Sequence, residues 1–552
     1  MEQLVTKNVD SLLELDIHKV EINQHGVEGF YWPISYGEQE EACNDLLKGY
    51  TKLIRKYDEG EDSVLSYKLL SKYLITEVIS VFNGELLHKR MGQDNYVPVC
   101  KEEWRIWSAL FNGTALKMPA FMDKFRQGPF SKNKKTKFRL LQKVKKAASL
   151  ISLKKGGFGV GNLKLKPVTQ SVLEGDVIAT QRSDLIQKHS QIVREDVVFC
   201  RSDKWFSSVS EQEMAEQQLC SVEQLEIDII SHIHSIYNKY DISLTDPVLS
   251  HFKDIISQGS ALIRVHYNRL LLAPQTLPRK IWTGTGGYIW DAILRNATLF
   301  TLNGKATGHD HGAGLGHVDN PVMGLSEFWG CTDFICLNNN QGTEMSNRAS
   351  SWHHLDKSIP NIRGIKGSNQ SQYTEHAKFL TNTHKTKTII VLATLYGGDR
   401  VWMGPCSPDV VHVDWQARLI GHLREWGYNV ILKVHPETPV MPPEALEKLG
   451  AVIRKEPLED MMSEGDMVLF DCLYTSVFRS VISTNIPMVL VDFYGHPWTN
   501  KAKGLVEKRI GFLSGKFDEQ NKKDVDWGAL KEAIEHSGSK CNNAEFFEYY
   551  YG

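Results

Sequence analysis

A glycine-rich segment in the middle of the chain combines residue types that could bind a ligand. Glycine lets the backbone pass close to a ligand and adopt positive φ. A helix that begins after such a turn offers unpaired N–H groups to an anion. The segment has neither the lysine of a P-loop nor a GxGxxG pattern, which disfavours an ATPase and a dinucleotide-dependent enzyme. We predict that it lines an active site. Its members are Thr283, Gly284, Thr285, Gly286 and Gly287.

Imidazole and carboxylate groups follow in the sequence GHDHGAGLGH. They belong to His309, Asp310, His311 and His317, with Gly312 among them. Histidine and carboxylate suit zinc and other divalent ions, but the side chains of three adjacent residues diverge, and we predict no metal site. An aspartate in a tight glycine loop beside a cleft is better suited to act as a nucleophile, a base or a charge-stabilising group.

The KVHPE segment at 433–437 could contact a phosphate or a sugar. Lys433 closes a predicted strand, and Pro436 ends that strand and fixes the turn. His435 would then face a cleft at the carboxyl end of the strand, with Glu437 after the turn. A histidine at this place can bond a phosphate or a sugar hydroxyl, although it could equally satisfy a loop carbonyl.

The DCLYTSVF segment follows another predicted strand. Asp471 ends the strand, and Thr475 or Ser476 stands at the N-cap position of the next helix. Hydroxyls and free N–H groups at that position suit a phosphate or diphosphate, although ordinary capping also explains them. The order of the KVHPE and DCLYTSVF segments predicts a nucleotide site at adjacent strand ends of one sheet.

The elements that must position these residues follow from the apolar pattern. Strands are predicted at GDVIAT, EDVVFC, 281–282, 298–302 and 333–337, and a helix at 288–297. The polar residues 338–385 predict an interdomain connection. From Lys387, strands and helices alternate, which is typical of a parallel sheet. The predicted fold class is α/β, with two Rossmann-like domains facing a cleft and an additional N-terminal helical region.

A chain of 552 residues is longer than one hydrophobic core usually organises, so we predict several domains. Residues 1–125 form a helical N-terminal region, and residues 126–170 a basic amphipathic segment. Residues 171–385 form a Rossmann-like acceptor and sugar domain with its linker, and residues 386–552 a Rossmann-like nucleotide-binding domain.

Composition and charge indicate where the protein works. The net charge of −2 argues against a protein that coats nucleic acid, and nine scattered cysteines favour reduced thiols. No signal peptide or apolar run of membrane-spanning length is evident. The basic amphipathic residues 131–155 could lie on an anionic bilayer; a plain surface loop and a clamp for a phosphorylated or nucleic-acid ligand are the alternatives. We expect a cytoplasmic protein, with peripheral contact to the inner face of the membrane.

Five motifs, taken in order, resemble bacterial surface-polysaccharide glycosyltransferases of the GT-B type. They are W-TGTGG-YIW, LNGKATGHDHGAGLG, TDFICLN, ILKVHPE and DCLYTSVFRSV, and the likeness covers residues 280–495. It is a likeness to capsule and lipopolysaccharide transferases that use CMP-activated ulosonic acids, such as the β-Kdo transferases. This implies a CMP-linked donor and a glycan or lipid-linked acceptor, with no metal and no other cofactor.

The resemblance also implies roles for the nucleotide loops. His435 and Pro436 would border the nucleotide phosphate, with Ser476 and Thr475 beside it, and the whole KVHPE segment would belong to the nucleotide site. The glycines at 283–287 and Gly312 would make room for the sugar and the acceptor.

On the sugar side, the resemblance implies that Asp310 and His311 face the sugar. In retaining β-Kdo transferases an aspartate is thought to form a covalent glycosyl intermediate; Asp310 is the first candidate for it and Asp291 the second. No motif identifies the catalytic acid or base, for which Glu226, Asp203 and Glu327 remain open. A CDP-polyol phosphotransferase of the teichoic-acid type and a non-catalytic glycan- or nucleotide-binding protein are the alternative functions.

Overall fold

The computed structural model describes most of the chain. The described residues are 22–23, 26–27, 32–58, 64–91, 106, 109–110, 113–129, 169–284, 287–310, 316–365, 373–380, 385–393, 396, 407–435, 438, 441–473 and 476–552. The basic segment at 131–155 lies outside them, so its contact with a membrane stays a prediction. Within the described ranges, no helix combines the length and the apolar character needed to span a bilayer.

Two short antiparallel strands, β1 (Ile22–Asn23) and β2 (Gly26–Val27), precede the first parallel sheet in the chain. Its six strands are β3 (Val177–Ala179), β4 (Val197–Phe199), β5 (Lys280–Thr283), β6 (Lys305–His309), β7 (Asp333–Cys336) and β8 (Asn361–Gly364). They lie in the order β4-β3-β5-β6-β7-β8, and every neighbouring pair is parallel. Val177, Ile178, Ile281 and Ala306 are fully buried, because a parallel sheet is covered on both faces.

The second parallel sheet also has six strands. They are β9 (Thr388–Leu392), β10 (Asn429–Lys433), β11 (Ala451–Arg454), β12 (Met467–Phe470), β13 (Met488–Asp492) and β14 (Gly511–Ser514), and the hairpin β15 (Lys516–Phe517) and β16 (Lys523–Asp524) follows. The order β11-β10-β9-β12-β13-β14 is the 3-2-1-4-5-6 order of a Rossmann sheet. The prediction of two Rossmann-like α/β units with N-terminal helices is confirmed.

The helices pack around both sheets, and several of them precede the first sheet in the chain. In chain order they are α1 (Tyr36–Tyr57), α2 (Leu65–Met91), α3 (Ala120–Gln127), α4 (Gln170–Gly175), α5 (Asp184–Val193), α6 (Glu211–Gln218), α7 (Glu223–Lys239), α8 (Asp246–Leu271), α9 (Ile289–Leu302), α10 (Met323–Ser326), α11 (Asn339–Ala349), α12 (Asp409–Glu425), α13 (Ala445–Lys448), α14 (Leu458–Met461), α15 (Ser476–Ile482), α16 (Asn500–Arg509), α17 (Trp527–Lys540) and α18 (Glu545–Tyr550).

A helical bundle joins the N-terminal helices to the first sheet. Helices α1 and α2 pack against α7 and α8, which lie between β4 and β5 in the chain. Buried phenols lock the bundle: Tyr50 Oη donates to the Tyr67 carbonyl at 2.7 Å, and Tyr237 Oη donates to the Val78 carbonyl at 2.8 Å. The N-terminal helices and the α7–α8 insertion therefore share one core.

Two predicted elements need correction. Residues 298–302 are the last turns of α9 rather than a strand, because the helix ends only at Asn303, which adopts a left-handed conformation (φ 45°). The strand is β6, which begins two residues later. Residues 338–385 are not a simple connection, because they contain α11 and β8, the outermost strand of the first sheet. Their polar composition reflects exposure at the edge of the sheet.

The two units meet at a contact that we call the domain seam, formed by residues 316–319, 496–499 and 545–551. The loop after β6 pairs with the loop after β13: Asp319 N donates to the Pro497 carbonyl at 2.8 Å, and Thr499 N donates to the His317 carbonyl at 2.9 Å. The last helix, α18, belongs to the second half of the chain but returns to the first sheet. There Asn338 Nδ2 donates to the carbonyl oxygens of Tyr549 and Gly552, each at 3.0 Å.

Replacing Asn338 with Asp should loosen α18. The new carboxylate can still accept from Gln341 N and cap α11, as the amide oxygen does at 3.0 Å. It cannot donate to the two carbonyls, and it places negative charge against them. We expect a loss of about 1–3 kcal/mol in the free energy of unfolding and faster amide exchange in residues 545–551. Urea denaturation and hydrogen–deuterium exchange measure the two effects.

The control is Asn339→Asp, which adds the same charge at the exposed neighbouring position. An Asn338→Asp protein no less stable than this control would show that the two donated bonds do not hold the helix.

Candidate functional site

The carboxyl ends of β3 and β5 mark the switch point of the first sheet, where the chain connections change direction. Asp291, in the first turn of α9, lies there. Its carboxylate accepts from Thr180 Oγ1 at 2.9 Å and from Gln181 Nε2 at 2.8 Å. Burial raises the pKa of Asp291, and the hydrogen bonds oppose that shift. Asp291, the second candidate for the covalent role, is 1% exposed. Its carboxylate links the loop after β3 to the first turn of α9.

The glycine-rich segment is packed against the protein's own side chains. A Cβ at Gly284 would lie 2.8 Å from Gln181 Oε1, and a Cβ at Gly287 would lie 2.6 Å from Lys72 Nζ. Both atoms are the ends of flexible side chains that can move aside, so these contacts alone do not require glycine at either position. Thr285 and Gly286 lie outside the described residues.

The prediction for Thr283 needs correction. Its side chain is fully buried, and its hydroxyl accepts from Arg295 Nη1 at 2.9 Å. The last three residues of β5 are all buried, because this parallel sheet is covered on both faces. Thr283 therefore stabilises the core rather than offering its hydroxyl to a sugar.

Asp310 follows β6 directly and is held in one orientation. Its backbone N–H donates to the Ile335 carbonyl at 2.9 Å, and its carboxylate accepts from Gln341 Nε2 at 2.6 Å. Gln341 is itself fixed, because its Oε1 accepts from Leu337 N at 2.8 Å. Asp310 is 2% exposed. A buried, oriented carboxylate at the carboxyl edge of a parallel sheet is suited to meet developing positive charge. His311 and Gly312 lie outside the described residues.

The predicted histidine group is divided between two places. His309 Nε2 lies 2.9 Å from Nδ1 of His189, and its Nδ1 lies 3.1 Å from the Thr283 carbonyl. Burial lowers the pKa of His189 to about 4 and that of His309 to about 3. Both rings are neutral at pH 7 and link α5 to the sheet. The described residues contain no group of three or more His, Cys, Asp or Glu side chains arranged to hold a metal ion.

His317 lies apart from these two, in the domain seam. It is enclosed by the rings of Phe546, Tyr550 and Tyr551, with centroids 4.9, 4.5 and 5.3 Å away. Burial lowers its pKa to about 3, and neither ring nitrogen has a hydrogen-bond partner among the residues that the structure describes. His317 therefore contributes packing to the seam.

The two predicted nucleotide loops border the switch point of the second sheet. That point lies between β9 and β12, where the connections change direction. The KVHPE segment follows β10 and the DCLYTSVF segment follows β12, so the two loops are not at adjacent strand ends as predicted. Strand β9 lies between them, which separates the two strand ends by about 10 Å. This spacing suits groups that hold different parts of one nucleotide.

Individual residues of these loops are placed as follows. Lys433 is 6% exposed, and its Nζ donates to the Val434 carbonyl; burial lowers its pKa. His435 is half-buried at the carboxyl end of β10. Tyr396 N donates to Thr438 Oγ1 at 2.9 Å, which ties the loops after β9 and β10 together. Pro436, Glu437, Thr475 and the side chain of Ser476 lie outside the described residues.

A buried cation beneath this switch point was missed by the sequence reasoning. Lys523 is fully buried; its Nζ lies 3.8 Å from Asp471 Oδ2 and 3.2 Å from His412 Nδ1. Burial lowers the pKa of Lys523, while Asp471 opposes the shift. Asp471 thus faces a cation below the DCLYTSVF loop. No local pattern identifies Lys523, because its partners come from distant parts of the chain.

A carboxylate–imidazole pair at the end of β13 was also missed. Asp492 Oδ1 lies 2.6 Å from His496 Nδ1, and its Oδ2 accepts from Trp498 Nε1 at 3.2 Å. Burial alone would raise the pKa of Asp492, but the bonds from His496 and Trp498 outweigh it, and the pKa is lowered. The pair borders the domain seam. The sequence signal for this pair was an acidic residue at the end of a strand, followed by GHP. The KVHPE segment likewise has a His-Pro pair directly after a strand.

Replacing His317 with Phe should change how stability depends on pH. The folded protein keeps His317 neutral, while the unfolded chain protonates it below about pH 6.5. The folded-state pKa is depressed, so this histidine lowers stability as pH falls from about 6.5 toward 3. Phenylalanine removes that loss. Between pH 7 and pH 5 the variant should gain about 2 kcal/mol over the parent, measured from urea midpoints.

His234→Phe, at an exposed position on α7, controls for the general effect of replacing a histidine. An equal gain in both variants would contradict the assignment of the effect to His317.

Comparisons with known proteins add three structural likenesses. No model of a known protein family matches the chain, and the search of curated proteins gives no match. Among solved structures, the chain is similar to the glycosyltransferase SsfS6 of Streptomyces sp. SF2575 at 10% identity, covering 68% of this chain and 92% of that one, with a TM-score of 0.26. It is also similar to α,α-trehalose 6-phosphate synthase from Burkholderia multivorans at 11% identity, covering 71% and 89%, with a TM-score of 0.33. The chain is also similar to the glycosyltransferase SnogD from Streptomyces nogalater at 9% identity, covering 67% of this chain and 95% of that one, with a TM-score of 0.27. At these TM-scores the fold assignment rests on strand order and register.

Proposed function

We propose that this chain is a glycosyltransferase of GT-B type, which moves a sugar from a nucleotide-activated donor to a glycan or lipid-linked acceptor. One observation carries the proposal: the loops at the carboxyl ends of β6 and β13, one from each parallel sheet, bond to each other in the domain seam. Ligands of open parallel sheets bind outside the carboxyl ends of the strands. Where the carboxyl ends of two parallel sheets meet at one seam, a donor and an acceptor bound to them can react.

The nucleotide belongs on the second sheet in this proposal. Its switch point is bordered by His435 on one side of β9 and by the DCLYTSVF loop on the other. The motifs that resemble CMP-ulosonic acid transferases favour a CMP-linked donor, such as CMP-Kdo. The phosphate would lie between the two loops.

The sugar belongs beside Asp310. In the proposed reaction, the Asp310 carboxylate attacks the anomeric carbon or stabilises the positive charge that develops there. The bond from that carbon to the phosphate oxygen breaks, and CMP leaves with the electron pair. The acceptor hydroxyl then attacks that carbon, forms the new glycosidic bond and gives up its proton; where Asp310 had bonded the carbon, this bond breaks and its electron pair returns to the carboxylate. The Asp492–His496 pair supplies a base for this proton, because Asp492 orients the imidazole as the carboxylate does in other Asp–His pairs.

A thermal-shift panel tests the nucleotide. The protein is heated with CMP, CDP, UMP, UDP and GDP at equal concentration, and the midpoint rises with the affinity of each ligand for the folded state. We expect the largest rise with a cytidine nucleotide. A clear preference for UDP or GDP would contradict a CMP-linked donor. If cytidine nucleotides bind and a CDP-polyol yields a phosphoryl-alditol product by mass spectrometry, the phosphotransferase alternative is supported instead.

Asp310→Asn tests the sugar side. The amide keeps the shape of the carboxylate and can still accept from Gln341, so the fold and nucleotide binding should change little. Transfer should fall by roughly 10³-fold or more, as when a principal charge-stabilising group is removed. Product formation is measured by mass spectrometry with a defined donor and acceptor.

The control is Asp333→Asn, at the amino end of β7 in the same sheet and therefore away from the carboxyl ends of the strands. It should leave transfer unchanged. Normal turnover in Asp310→Asn would remove Asp310 from the mechanism.

A further inference from the structure

The chain that leads into α1 crosses from the N-terminal helices to the second unit. Trp32 N donates to the Gln520 carbonyl at 2.8 Å, and the Trp32 carbonyl accepts from Asn521 Nδ2. Both partners lie in the turn between β15 and β16. Helix α1 itself belongs to the bundle that shares a core with the first sheet. Residues 32–36, which we call the N-terminal strap, therefore connect the two units.

Tyr36 is the residue of the N-terminal strap that reaches the loop after β13. Its ring stacks on that of Phe517, with centroids 5.4 Å apart and planes 4° from parallel, and its centroid lies 5.0 Å from that of Tyr494. Such contacts between aromatic rings are favourable and depend on how the rings are placed. Ser35 fixes the start of the helix, because its hydroxyl accepts from Glu38 N at 3.2 Å. The Tyr36 ring is therefore held against Tyr494.

Tyr494 belongs to the turn that wraps around the Asp492 carboxylate. Tyr494 N donates to Asp492 Oδ1 at 3.2 Å, and His496 N donates to Asp492 Oδ2 at 3.2 Å. The His496 ring completes the turn, with its Nδ1 2.6 Å from Asp492 Oδ1. Between Tyr494 and His496 the chain passes through Gly495 at φ 55°, a conformation that glycine adopts without strain. A shift of Tyr494 therefore moves a donor to Asp492 and the chain that leads to His496.

The remaining described contacts of the Tyr494 side chain come from the second unit. Lys523 Nζ lies 5.1 Å from the centre of the Tyr494 ring, and the Phe517 centroid lies 6.0 Å from it. Tyr494 Oη lies 3.4 Å from Ser407 Oγ. These three partners belong to the same unit as the turn, whereas Tyr36 is anchored in the helical bundle. Tyr36 therefore links the turn to a part of the chain outside the second unit.

We propose that Tyr36 is a positioning residue for the Asp492–His496 pair. Its ring holds the turn at 492–496 in the form in which Asp492 accepts from the His496 ring. A carboxylate on Nδ1 fixes the tautomer in which Nε2 can take a proton. The N-terminal strap thereby completes a base that the second unit carries. This deepens the proposed function and rests on it only in treating the pair as the base.

Proton NMR of the full-length protein tests the positioning without any substrate. An imidazole N–H that donates to a carboxylate gives a downfield signal, which disappears when the bond opens to water. The signal is assigned to His496 by its loss in His496→Gln. Tyr36→Ala should broaden or abolish it, while Tyr36→Phe, which keeps both ring contacts, should retain it. Tyr36→Leu keeps apolar bulk without the flat ring, should also weaken the signal, and covers the case in which Tyr36→Ala fails to fold.

The matched control is Tyr57→Ala. Tyr57 is the last residue of α1, and its hydroxyl donates to Asp228 Oδ2 at 2.8 Å, within the helical bundle. The variant removes the same side chain from the same helix, away from the strap, and should keep the His496 signal. An equal loss of signal in Tyr57→Ala or in Tyr36→Phe would overturn the inference, because the ring contacts of Tyr36 would not be its cause.

Kinetics separate this inference from the proposed function. General base catalysis contributes about 10²–10⁴-fold, so Tyr36→Ala should lower kcat by about tenfold or more. The donor KM should stay near the parental value, because the nucleotide is assigned to the loops after β10 and β12. A parental kcat and a parental His496 signal in Tyr36→Ala would overturn the inference while the function stands. Loss of the signal in Tyr36→Ala alone among the Tyr36→Ala, Tyr36→Phe and Tyr57→Ala variants supports it, even if the parent transfers no sugar and the proposed function fails.

Discussion

A pair of hydrogen bonds from the Asn338 amide to the carbonyls of Tyr549 and Gly552 connects the end of the second unit to the first sheet. It holds α18 against the first sheet, although the chain has already completed the second. Tyr551 is thereby placed against His317, with ring centroids 5.3 Å apart. Other contacts between the units include the paired loops after β6 and β13 and the stacked rings of Tyr36 and Phe517, whose centroids are 5.4 Å apart.

Several polar groups in the seam are buried without hydrogen-bond partners, which lowers stability. Both ring nitrogens of His317 and the Tyr551 hydroxyl are among the described atoms of this kind, and each such group costs about 1–3 kcal/mol. The aromatic rings around His317 exclude water, so no solvent compensates. Natural proteins tolerate such groups where a site requires them.

Local patterns in the sequence were sufficient for most strands and for the loops that follow them. Apolar runs such as TIIVLAT and PMVLVDF are too regular to belong to anything but buried strands, and glycine or proline marks their ends. The assignment of 298–302 failed because its threonines and leucines suit a strand equally well, while a left-handed Asn303 decided the helix end. The order of β9, β10 and β12 could not be read from the chain, because strand neighbours are set by crossover connections.

The two switch points differ in what fills them, and this difference argues for a division of roles. In the first sheet, the buried Asp291 carboxylate accepts hydrogen bonds from Thr180 and Gln181 at the switch point. In the second, the buried amine of Lys523 lies 3.8 Å from Asp471 Oδ2, below the strand ends. In the proposed function, the nucleotide lies on the second sheet. The first sheet contributes through β6, one strand away from its own switch point, where Asp310 reaches the seam that both units share.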